Sequence, residues 1–141
     1  MPFVSHRRRG SGLAAACTLI VSSCAIDHVA AQPVNIREYN TNQAYPIAFC
    51  RPPNRAEINY WINDPRSQAV NSEVDAHRSW LRTNGAERQA TIQRSYYAVF
   101  RRAPSAGEMQ YWDQMVAQNG YTCQELQSFH NQYRRNNPSA R

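Results

Sequence analysis

The chain has 141 residues, and its sixteen basic side chains are all Arg, set against ten acidic ones. That length bounds it to one small domain. The net charge of +6 falls to +4 without the first thirty-one residues, and the Arg are dispersed rather than gathered into the stripe or patch that nucleic-acid binding needs, which excludes that class of partner.

The N-terminus reads as an export signal. Arg7, Arg8 and Arg9 form a positive start, and Leu13 to Ile26 is an apolar stretch too short for a stable membrane span. Val29 and Ala31 then put small residues at −3 and −1 before Gln32, so residues 1–31 are expected to be a signal peptide. A second cleavage reading stays open. Val21-Ser22-Ser23-Cys24 resembles a lipobox, whose Cys24 would be lipidated and hold the domain at a membrane surface by its acyl chains. Either reading makes the mature protein extracytoplasmic: periplasmic, secreted or lipid-anchored. Membrane contact is expected only through such an anchor.

The remaining chain states one pattern twice. Residues 44–61 (AYPIAFCRPPNRAEINYW) and 95–112 (SYYAVFRRAPSAGEMQYW) are 51 positions apart and share seven identities. These are Tyr45/Tyr96, Phe49/Phe100, Arg51/Arg102, Pro53/Pro104, Glu57/Glu108, Tyr60/Tyr111 and Trp61/Trp112. An internal repeat fixes the architecture before single elements are read.

Helix starts are marked by capping pairs. Asn35/Glu38, Asn54/Glu57, Asn84/Glu87, Ser105/Glu108 and Thr122/Glu125 each put a short polar side chain three residues before Glu, and Ser72/Asp75 is a weaker sixth case. The spacing predicts an all-α fold of two three-helix repeats, 32–83 and 84–135, with helices near 36–50, 55–63, 73–82, 86–102, 106–118 and 123–135. Pro46 is expected to kink or shorten the first helix, and Pro65 to stop the second. Gly120 suits a left-handed C-cap. Residues 136–141 are expected to be a disordered tail. Apolar positions agree with helices: Ile92, Tyr96, Val99 and Phe100 share one face.

Cys50 and Cys123 are the two ordinary cysteines left after either cleavage, Cys24 being lipidated where it is kept. Outside the cytoplasm such a pair tends to be oxidised, so a disulfide is expected, with two buried free thiols as the alternative. No metal-ligand spacing is present and no cofactor is expected. The shared residues read first as packing and capping groups. The sharper reading is a binding surface built from Tyr60, Trp61, Tyr111, Trp112, Arg51 and Arg102, which would contact an envelope protein or stack on an envelope glycan at two equivalent sites. Glu57 and Glu108 could serve as an acid/base pair in an enzyme acting on envelope polysaccharide or peptidoglycan. As repeat equivalents, each is better explained by its own cap, so no catalytic residue is assigned. His77 and His130 fall on the third helices and read as packed residues.

The second copy resembles the domain-of-unknown-function 4214 family, a helical repeat of secreted and surface-associated bacterial proteins. The resemblance rests on Tyr96, Phe100-Arg101-Arg102-Ala103-Pro104, Glu108-Met109-Gln110-Tyr111-Trp112, Gly120 and Thr122-Cys123-Gln124-Glu125-Leu126. The first copy matches through Arg51, Pro53, Glu57, Tyr60 and Trp61. Many members carry Asp where Asn54 and Ser105 stand, and Gly where Glu57 and Glu108 stand. The resemblance implies an all-helical, extracytoplasmic domain and carries over no catalytic residue.

Overall fold

A helix begins where a side chain can satisfy its free N–H groups, and this chain supplies such side chains repeatedly. The computed structural model describes residues 35–138. They form α1 (Ile36–Phe49), α2 (Arg55–Trp61), α3 (Val70–Thr83), α4 (Gly85–Phe100), α5 (Ala106–Asn119) and α6 (Cys123–Asn136), with a short 3-10 helix at Pro65–Gln68. No strand occurs among the described residues, so the fold is all-α. The export signal, Cys24 and residues 139–141 lie outside the described residues.

Three capping pairs are complete boxes: Asn54/Glu57, Ser105/Glu108 and Thr122/Glu125. Asn35 and Asn84 also cap, but their glutamates turn elsewhere, Glu38 toward Arg55 and Glu87 onto Arg94. The sixth pair is a misreading. The third helix starts at Val70, and Ala69 offers no side-chain cap. The 3-10 helix delivers the chain there instead. Asp64 caps it, the Ser67 hydroxyl lies 2.6 Å from the Trp61 carbonyl, and the Asn40 amide donates to the Ser67 carbonyl at 2.8 Å. Pro65 therefore opens a turn rather than stopping α2, which has already ended at Trp61. Pro46 does not shorten α1, which ends at Phe49, the repeat equivalent of Phe100 at the end of α4. Asn136 belongs to α6 rather than to a tail.

Each copy packs its first helix against its third: α1 on α3, and α4 on α6. The copies also interlock, with α1 against α6 and α3 against both α4 and α5. The core runs continuously through this arrangement, from Tyr45, Phe49 and Trp61 to Leu81, Ile92 and Leu126. Gly120 takes the left-handed conformation at φ 68°. A Cβ there would meet the Arg78 carbonyl at 3.1 Å, so glycine is needed both for its conformation and for the close approach of α3.

Cys50 and Cys123 are bonded, with Cα atoms 5.5 Å apart across 73 positions. The bond joins the end of α1 to the start of α6, hence one copy to the other. Closing so long a loop removes conformational freedom mainly from the unfolded chain. Reduction is expected to cost about 4 kcal/mol. Urea unfolding with and without reductant measures this, and a midpoint unmoved by reduction would contradict it.

Candidate functional site

Five of the seven shared residues assemble into one structural unit, built twice. In the first copy the Trp61 indole N–H donates to the Tyr45 hydroxyl at 3.1 Å; in the second, Trp112 donates to Tyr96 at 3.0 Å. These bonds satisfy the polar ends of rings that are otherwise buried for their apolar area. Burial pushes the Tyr45 hydroxyl up to about 12. It raises Tyr96 as well.

An imidazole completes each unit. The His77 ring stands 4.7 Å from Tyr45, 4.7 Å from Phe49 and 4.8 Å from Trp61, edge-on to each. His130 stands 4.4 Å from Tyr96, 5.5 Å from Phe100 and 4.9 Å from Trp112. Both histidines are buried. Their polar partners differ. Ser95 donates to the Ile92 carbonyl, so its oxygen is left to accept from His130 Nε2 at 3.1 Å, which puts the proton on Nε2. His77 Nε2 instead lies 3.4 Å from the fully buried Glu73, whose other oxygen accepts from Thr41 at 3.0 Å. Leu126 holds the place of Glu73 in the second copy.

The shared Arg and Glu close a lid over the rings. Arg51 grips Glu57 through both guanidinium nitrogens at 2.8 and 2.7 Å, and Arg102 grips Glu108 at the same two distances. Each glutamate also accepts its own cap residue's backbone N–H at 2.7 Å. The guanidinium carbons stand 5.2 to 5.5 Å over the Tyr and Phe rings of the same copy, which adds cation–π attraction. Arg102 holds the Glu108 carboxyl down at about 2, and Arg51 lowers that of Glu57.

The proposed binding residues are therefore divided by the fold. Trp61 is only 6% exposed and Trp112 is half-buried, while Tyr60 and Tyr111 are 59% and 56% exposed. The periodic Trp are core groups, and the surface aromatic character comes from their neighbours. Trp80 on α3, 51% exposed, joins Tyr60 at the rim of a cleft of about 600 Å³ that also contains Trp61, Arg66, Ala76 and His77. Sequence reasoning passed over Trp80 and the cage role of the histidines. The signal was present as Ala76-His77 and Phe129-His130, but it repeats at 53 positions rather than 51.

Among the described residues no His, Cys, Asp and Glu group is arranged to hold a metal ion, and no helix is long and apolar enough to cross a membrane. No family model matches the chain, and no curated protein or solved structure is significantly similar to it.

Burial holds the His130 imidazole down at about 4, below its ordinary value of about 6.5. The folded state then refuses a proton that the unfolded state accepts. Stability is full above the ordinary value and falls as pH drops toward 4, by up to about 3 kcal/mol. The depressed glutamates lose their contribution later, below their ordinary value of about 4.3. Thermal melts across pH should show both stages. His130→Gln should flatten the first and keep the second; an unchanged first stage would contradict the assignment.

Proposed function

We propose that the protein is an exported, non-catalytic interaction module of the bacterial cell envelope, contacting protein or glycan. The observation that carries this reading is the closure of both shared glutamates. Each is bound by an Arg on two sides and by its own helix N-terminus. A general acid for glycoside cleavage needs a carboxyl kept protonated by a raised pKa. Glu57 and Glu108 are shifted the opposite way.

Export is supported by the N-terminal signal pattern in the sequence and by the Cys50–Cys123 bond, which is compatible with an oxidising compartment. The likeness to the domain-of-unknown-function 4214 repeat points the same way. Aromatic side chains on the surface, Tyr60 and Trp80 in one copy and Tyr111 and Tyr133 in the other, supply contact area of the kind partners bury.

Two measurements test this. Intact mass of the protein from its own host should begin at Gln32, or at a lipid-modified Cys24; an unprocessed chain in the cytoplasm would refute export. Incubation with purified peptidoglycan should release no soluble fragments. Glu57→Gln and Glu108→Gln should each lower stability by about 1–2 kcal/mol through the lost cap and Arg bond. Hydrolysis that either variant abolishes would establish the enzyme instead.

A further inference from the structure

The two copies differ at the residue preceding the caged histidine, and the difference opens a cavity. α3 and α6 have equal length, and His77 and His130 meet equivalent rings. In the second copy the position before the histidine is Phe129. Its ring stacks with Trp112 at 5.9 Å and 19°, and meets Tyr121 at 5.0 Å. In the first copy that position is Ala76, and Gln68 stands where Tyr121 would. The cleft of about 600 Å³ lies at Ala76, a volume in the range of small-ligand sites.

We propose that this cleft is the docking pocket for an aromatic side chain presented by a partner protein, seated as Phe129 is seated in the second copy. The proposal rests on the interaction-module reading and narrows it to a protein ligand. The lining favours a neutral ring. Glu57 is occupied by Arg51, and Arg66 is held by Asp64 at 2.6 Å, so neither offers a free charge. The Arg66 guanidinium stands 5.1 Å over the Trp61 ring, where its cation can also face an entering π system. Trp80 and Tyr60 stand exposed at the rim to cover one. A sugar would require unused hydrogen-bonding groups. The lining hydroxyls of Ser79 and Thr83 already donate to backbone carbonyls of their own helix, which leaves the Tyr60 hydroxyl and Trp80 indole N–H at the exposed rim as the donors a sugar could use.

The test uses nuclear magnetic resonance of the mature protein. The probes are acetyl-Ser-Phe-Ser-amide, acetyl-Ser-Ala-Ser-amide and a trimer of N-acetylglucosamine. The Phe peptide should shift the Trp80 indole and Ala76 amide resonances saturably, with weak affinity on the order of millimolar. The Ala peptide and the sugar should leave them in place. Ala76→Phe, which copies the second repeat, should fold with an undiminished melting temperature and weaken the response at least tenfold. Trp80→Ala alters an exposed residue, should also fold, and should weaken it too. The proposal is overturned if the Phe peptide produces no saturable shift, if the shift survives in both variants, or if the sugar saturates the same resonances. Self-association that Trp80→Ala abolishes would also overturn it, by assigning the cleft to a second copy of this chain. None of these outcomes alters the mass or the peptidoglycan result, so failure here is separable from failure of the interaction-module reading.

Discussion

An imidazole enclosed by three aromatic rings is the contact on which each half of this protein depends. His77 and His130 come from the third helix of their copies, the Tyr and Phe from the first, and the Trp from the second. Three helices must therefore converge on one point, and the Trp-to-Tyr hydrogen bond fixes the register at which two of them meet. A ring so placed gives up its hydration; a hydrogen bond offsets this for His130, whereas His77 Nε2 and the facing Glu73 oxygen make no hydrogen bond. Ser95 serves His130, and Glu73 with Thr41 stands beside His77. One architecture thus accepts two polar solutions behind the same aromatic front.

The charged residues of the repeat belong to this frame. Arg51 and Arg102 lie past the ends of α1 and α4, cover the rings of those helices, and hold the glutamates that cap α2 and α5. The chain reverses between two helices in this turn, and the Arg–Glu pair links both sides of the reversal. Arg, Glu, Tyr and Trp recurring together resemble a catalytic or sugar-binding set when read as residue types. Their mutual contacts leave the glutamates closed and the tryptophans largely covered, so surface chemistry falls to the exposed residues beside them.

Much of the fold was legible because capping and periodicity are local. Asn54, Ser105 and Thr122 mark helix starts through bonds to residues three positions on, and the disulfide joins the two cysteines, Cys50 and Cys123, that the sequence reading pairs. The start of α3 was not legible in this way. It depends on Asn40, distant in sequence, bonding the 3-10 helix that precedes it, while Ser72 imitates a cap it does not form. The shortening expected from Pro46 does not occur, since a proline in the last turn leaves the end of α1 where the second copy ends α4. The candidate site was legible only as residue types. Burial separates Trp61 from Tyr60, one position apart, and a period of 51 hides the histidine equivalence because the first copy reaches its third helix two residues sooner.

Duplication preserved the cage and let its surroundings diverge, with Phe129 against Ala76, Leu126 against Glu73, and a full α5 against the short α2 and its 3-10 turn. The central claim is that the shared tryptophans are scaffold rather than contact surface. Tryptophan fluorescence of a Trp80→Phe variant addresses it directly, because only Trp61 and Trp112 then emit. Burial predicts blue-shifted emission that acrylamide quenches poorly until the protein unfolds. Emission near that of free tryptophan, readily quenched in the folded state, would contradict the scaffold role and return both residues to the binding surface.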